Sequence, residues 1–176
     1  MRINIDKREK RVKNIRFISY ATAALILSVL QVALLDLIEI GGITPDLLVI
    51  LVVWIAIREG QFNGLFFGFG IGLLLDIISF DLIGTNALSK TIAAFVSGFF
   101  YKEGKSDFII SNFRLLGIVF LASAAHNLVY FFMYIKLSDL DFWSFFLRYG
   151  IATSLYTTVV SILAMIFNIR RRRYNI

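Results

Sequence analysis

Four titratable side chains of this 176-residue chain stand inside long apolar stretches: Asp76, Lys90, His126 and Arg148. A charge at membrane depth costs roughly 2.5–3.5 kcal/mol on insertion scales, so such a group faces protein or water and has a partner. The chemistry open to these four is ion pairing between helices, capture of a small polar ligand, or proton transfer. His126 is the single histidine and cysteine is absent. A disulfide framework, a thiolate metal site, a cysteine nucleophile and a multi-histidine metal centre are therefore excluded within one chain. The sequence also lacks a Ser/His/Asp order, paired intramembrane aspartates, an HExxH helix and a Walker lysine motif, so neither an enzyme nor a cofactor is expected.

The elements that position these residues follow from composition. The chain is 59% hydrophobic and 17% charged, with a mean hydropathy of +0.80, a balance outside the range of soluble domains. Crossing about 30 Å of hydrocarbon takes about 20 apolar residues. Six segments qualify or nearly do: 17–35, 45–57, 61–80, 83–101, 115–135 and 142–167. The second is short. Its start is marked by Thr44 as a candidate N-cap, Pro45 at the first helical position and Asp46 at the positive helix end. The expectation is an all-α polytopic membrane protein: one transmembrane domain over 1–176, with a basic N-terminus (1–16), a six-helix bundle (17–169) and a basic C-terminus (170–176).

Basic residues set the orientation, because cytoplasmic flanks collect Lys and Arg. With both termini inside, 15 of the 18 basic residues fall on the cytoplasmic side, including the cluster Lys7–Arg16, Arg58, Lys102, Lys105, Arg114 and the run Arg170, Arg171, Arg172 and Arg173. Asp36, Glu39, Asp46, Asp81, Asp139 and Asp141 fall on the other. The net charge of +6 is thus explained by topology, and nucleic acid is not expected. A basic stretch before an apolar run also describes a signal peptide, but 19 uncharged residues from Phe17 to Leu35 exceed the usual apolar region and no small-residue cleavage site precedes Asp36, so a retained helix is expected. Tyr20, Trp54 and Tyr101 near inner ends, with Tyr130, Tyr134, Phe142 and Trp143 near outer ends, fit interfacial belts.

Depth arithmetic then groups the charges. At 1.5 Å per residue, Asp76 lies about 23 Å from the inner side, Lys90 about 10 Å below the outer surface and Arg148 about 9 Å in from Phe142. The matching depths predict an Asp76–Lys90 pair that Arg148 joins. His126 lies near the midplane beside Asn127, one turn from Ser123. A proton relay is its sharper reading; a neutral histidine bonded to a neighbouring helix is the plainer one, since no ladder of titratable groups accompanies it. Gly60, Gly64, Gly68 and Gly72 recur every fourth residue up to Asp76. They draw a smooth stripe against which a second helix packs closely, within the chain or between copies, with Gly70 as an extra small position.

The block from Thr44 to Lys105 carries a resemblance. Pro45-Asp46-Leu47 opening a helix, Trp54, Gly60, the four-spaced glycines, Leu73-Leu74-Leu75-Asp76, Gly84, Asn86-Ala87-Leu88 and Gly98 are similar to the bacterial rod shape-determining protein MreD family. About a third of the chain is covered strongly; the rest agrees in length, basic ends and span count. The outer turn, Ser79–Ile83, departs from the family's small-residue loop by Phe80 and Asp81.

What the resemblance implies is a non-enzymatic component of the machinery of cell elongation in the bacterial cytoplasmic membrane. Its implied partners are the bitopic protein MreC, the MreB cytoskeleton and, through MreC, a class B transpeptidase with its SEDS-family glycosyltransferase. The outcome is regulation of peptidoglycan synthesis. The resemblance also implies a compact bundle like the S components of energy-coupling-factor transporters, whose ligand cavity opens outward. That gives Asp76, Lys90 and Arg148 an alternative role in binding a vitamin-type small molecule, with Ala21, Ala23, Ala24 and Ser28 of the first helix docking an energising subunit. The basic ends read as topology determinants, each worth about 1 kcal/mol near an anionic surface, or as contacts to MreB.

Overall fold

A computed structural model of the chain describes residues 2–80, 82–135 and 141–174. The first helix, α1 (Arg2–Leu34), ends in a 3-10 turn (Leu35–Ile38), and a tight turn over Gly41 and Gly42 leads to α2 (Leu47–Glu59). Then come α3 (Gln61–Ser79), α4 (Thr85–Gly98), a short α5 (Ser106–Ile110) and α6 (Arg114–Ile135). The last helix starts as α7 (Phe142–Phe145), passes through a π turn (Phe146–Gly150) and continues as α8 (Ile151–Tyr174). Apart from an isolated bridge between Ile40 and Ile43, the described residues pair their backbones in helices and turns.

Among the described residues, four helical stretches are long and apolar enough to cross a membrane: Arg11–Ala33, Gln61–Ser79, Arg114–Ile135 and Phe142–Arg170. The other two predicted segments are helical but short. At 1.5 Å per residue, α2 with 13 residues is about 20 Å long and α4 with 14 is about 21 Å, both less than the hydrocarbon thickness of about 30 Å. Their surroundings explain how they stay short. Leu48, Val49, Val52, Val53, Ile55, Ala56 and Ile57 of α2 are all buried, so most of this apolar helix is covered by protein, and only the side of Leu47, Leu51 and Trp54 is partly exposed. One face of α2, through Val49, Val53 and Ile57, meets Ala93, Ile110, Leu115, Val119 and Met165. The other, through Leu48, Val52 and Ile55, meets Ala24, Ile71, Leu75 and Ala94. Outward-facing Phe66, Phe69, Val159, Leu163 and Phe167 are exposed, as suits a surface solvated by lipid.

The start of α2 differs from the sequence expectation. Asp46, and not Thr44, is the N-cap: its Oδ1 accepts from the Val49 N–H at 2.9 Å, leaving Pro45 before the helix. An aspartate can cap and carry charge at once, which Thr44 cannot.

The glycine stripe packs within the chain. A Cβ added at Gly64 would collide with Ala56 of α2; at Gly68 it would meet the Lys90 carbonyl and Ala94, and at Gly72 the backbone of Asn86 and Ala87, all of α4. The stripe therefore turns from α2 towards α4 along α3, as a four-residue repeat on a 3.6-residue helix must. Gly60 joins α2 to α3 at φ 92°, a conformation suited to glycine. Gly70 is different from its expected role: nothing lies within 4 Å of its added Cβ, so it is no packing position. Gly72→Ala is expected to lose stability at the upper end of about 1–3 kcal/mol, because backbone cannot swing away. Gly70→Ala is expected to be neutral or slightly stabilising. Thermal unfolding of the two variants in detergent checks this, and equal losses would contradict the packing account.

Candidate functional site

The buried polar residues of five helices converge where α2 begins. Asp46 is held there by its cap to Val49 and by its backbone N–H, which donates to Thr157 Oγ1 of α8 at 2.9 Å. Lys90, one turn into α4, is fully buried. Its Nζ donates to Asp46 Oδ2 at 2.8 Å and to Asn86 Oδ1 at 3.0 Å. His126 of α6 places Nε2 3.3 Å from the same Asp46 oxygen and stacks on Tyr130. One carboxylate thus meets a lysine and a histidine from two further helices. A desolvated lysine of this kind is tolerable only because Asp46 and Asn86 meet its charge and donors.

Asp76 does something else. Its Oδ2 accepts from the Gly84 and Ala87 N–H groups at 2.8 and 3.2 Å, and its Oδ1 accepts from Asn86 N–H at 3.0 Å. The first residues of α4 have no side-chain cap of their own, since the N-cap is Gly84 at φ 101°. Asp76, 1% exposed, supplies that cap from α3. It also sets a carboxylate against the positive end of the helix. The predicted Asp76–Lys90 pair is thereby corrected: each charge is taken by a nearer partner, the α4 backbone for Asp76 and Asp46 for Lys90.

Arg148 stands apart from the cluster. It is exposed on the π turn, with its guanidinium 5.6 Å from the centroid of the Tyr149 ring. Depth alone placed it with Lys90, but Phe146 and Gly150 occupy the inward side of that turn. Of the family-motif residues, Asp46, Gly84 and Asn86 are in the network and Pro45 adjoins it. Ala24 and Ser28 of α1 are buried under the chain's own helices, whereas Ala21 is exposed. Two of the four residues assigned to dock an energising subunit are thus already covered. The side chains of Arg171, Arg172 and Arg173 lie outside the described residues, as does Asp81.

A second buried polar group adjoins the first. Asn127 Nδ2 donates to the Gly150 carbonyl at 3.1 Å and to Ser154 Oγ at 2.9 Å. Together with Thr157 and Ser161, Ser154 makes a buried hydroxyl face on α8. Sequence reasoning missed it, although the spacing 154, 157 and 161 puts the three on one side of a helix. Among the described residues, two buried side-chain atoms have no hydrogen-bond partner, Ser123 Oγ and His126 Nδ1.

Beside the network a cavity of about 610 Å³ opens at the end of the bundle opposite Gly60. Asp46, Asn86, His126 and Asn127 form its polar side, and Tyr130, Phe131 and Tyr149 an aromatic side. Among the described residues no group of three or more His, Cys, Asp or Glu converges as metal ligands would. What the arrangement does chemically is hold α2, α3, α4 and α6 in one register through charge-assisted contacts to Asp46, Lys90 and Asp76, with α8 joined by the neutral Asp46–Thr157 hydrogen bond.

The fold and site define a class, an all-helical protein with four helices able to cross a membrane and a buried ionic lock. Comparison with protein-family models, curated proteins and solved structures finds no match to this chain.

Proposed function

We propose that the chain is a non-enzymatic component of the bacterial cell-elongation machinery, embedded in the cytoplasmic membrane with both termini inside, that binds an MreC-type bitopic protein and regulates peptidoglycan synthesis and rod shape. The observation that carries the reading is the convergence of the residues on which the MreD resemblance rests. Asp46 bonds to Lys90, Lys90 to the Asn86 side chain, and Asp76 to the backbone N–H groups of Gly84 and Asn86, so the four residues fall in one connected network although Asp46 lies at least 30 residues before the others. A motif built that way serves the relative placement of helices, and so the shape of a membrane surface offered to partners. In this reading α2 and α4 complete six membrane segments, their short length made up by the enclosing helices, and the bundle takes an S-component-like architecture. MreB and a transpeptidase–glycosyltransferase pair are the further partners.

A second reading, a substrate-binding component of a small-molecule transporter, is favoured by the 610 Å³ cavity that reaches Asp46, Asn86 and His126. Burial of Ala24 and Ser28 within the chain weighs against its docking face. A mild-detergent pull-down of the tagged protein from its own host, followed by mass spectrometry, separates the two. The elongation reading predicts MreC with wall synthases behind it; recovery of ATPases with a coupling subunit instead would overturn it.

A further inference from the structure

The opposite end of the bundle, where Arg58 faces Asp107 at 3.7 Å, holds a second hollow, of about 590 Å³, between the end of α4, α5 and the start of α6. Its rim is basic. Lys102, Lys105 and Arg114 all line it and all are exposed. The two acidic residues of the same loop do not cancel them: Asp107 is turned to Arg58, and Glu103 is not among the lining residues. Below the rim the walls become apolar, with half-exposed Phe108 and Leu121. Gly117 leaves the groove open between them, since an added Cβ there meets nothing within 4 Å. Arg114 lies 5.9 Å from the centroid of the Phe108 ring, which ties the cationic rim to the apolar wall. As the first residue of α6 it also stands at the positive end of a 22-residue helix.

A free anion would use the rim alone and leave the groove below it without purpose. An amphiphile uses both. We propose that this hollow binds an anionic glycerophospholipid, its phosphate held by Lys102, Lys105 and Arg114 and an acyl chain lying along Phe108, Gly117 and Leu121. Charge complementarity selects the headgroup, and the descent of the groove along a membrane-crossing helix selects a lipid over a soluble phosphate. On the orientation proposed above, with both chain termini inside, the lipid belongs to the cytoplasmic leaflet, the anionic one.

Native mass spectrometry of the full chain released from detergent, with equimolar phosphatidylglycerol and phosphatidylcholine added, tests the site. The expected result is preferential retention of phosphatidylglycerol. Removing a rim charge is expected to weaken that retention about fivefold, so the triple variant Lys102→Gln, Lys105→Gln and Arg114→Gln loses the preference. Gly117→Leu, which fills the groove and keeps every charge, is expected to weaken retention as well. The control Arg170→Gln, Arg171→Gln and Arg172→Gln removes as many charges elsewhere and is expected to retain it. Equal binding of the two lipids by the wild type, an unaffected rim variant, or an equal loss in the control would each overturn the proposal. Displacement of the lipid by millimolar inorganic phosphate, with Gly117→Leu without effect, would assign the rim to a soluble anion and overturn it too.

Discussion

Replacing Lys90 by Ala is expected to destabilise the protein by about 3–5 kcal/mol, the range for removing one partner of a buried ion pair. The cost arises from what remains. Asp46 stays at the head of α2 with its side chain 11% exposed, at the edge of the adjoining cavity, so water reaches only part of the carboxylate and does not replace the ammonium group. Asn86 Oδ1 loses its donor as well, and the space of the lysine stem is left among packed helices. The pair itself is a different quantity from either partner's removal. Asp46→Asn keeps an oxygen for the Val49 N–H while removing the charge, and Lys90→Met keeps the stem. Combined, they are expected to cost less than the sum of the two single changes by about 0.5–3 kcal/mol, as for residues in contact. Unfolding in mixed micelles measures all three variants. Additive losses would show that Asp46 and Lys90 do not depend on one another.

The second large effect is expected at Asp76, for a reason that has nothing to do with ion pairing. Its two oxygens accept from three backbone N–H groups at the start of α4. Each buried donor left unsatisfied costs about 1–3 kcal/mol, with the lower end applying to the Gly84 N–H, which is only partly buried. Asp76→Ala is therefore expected to cost about 3–7 kcal/mol in all. Asp76→Asn is expected to fall in between, because its amide retains one acceptor and turns a donor towards other donors. Hydrogen exchange at Asn86 and Ala87 gives a local readout: protection there falls in Asp76→Ala if the carboxylate caps the helix. Arg148→Ala, at an exposed position, is expected to stay within about 0.5 kcal/mol of the wild type. A loss at Arg148 matching that at Asp76 would restore the cluster drawn from depth alone.

The contrast between those residues shows how far the sequence could be read. Apolar length located helix in each of the six segments, four of them long and apolar enough to cross a membrane, because hydrophobic runs are a one-dimensional signal. The four-residue glycine spacing located the packed side of α3 for the same reason, and it did not extend to Gly70, which lies off the stripe. Depth is also one-dimensional, and it put Asp76, Lys90 and Arg148 at similar heights. Partner choice depends on azimuth and on which helix is nearest, and neither follows from residue number. Asp46 was legible as a helix-end charge. Its second duty, as counter-ion to Lys90, arises because short, mostly covered α2 brings its N-terminus to Lys90. Gly84 and Asn86 were legible only as a motif. Their meaning lies in backbone N–H groups that a glycine N-cap leaves for Asp76 to satisfy, which is a tertiary fact. The hydroxyl face of Ser154, Thr157 and Ser161 was within reach of helical periodicity, had small polar residues been weighed as packing groups.

The most direct measurement of the functional reading is cell shape on depletion of this chain in its own host, with incorporation of a fluorescent D-amino acid recorded along the lateral wall. The elongation account predicts that depleted cells widen and round up as lateral incorporation falls. Re-expression of the wild type restores rods, and re-expression of Lys90→Ala restores them poorly. Depleted cells that keep their width and their lateral incorporation would contradict it.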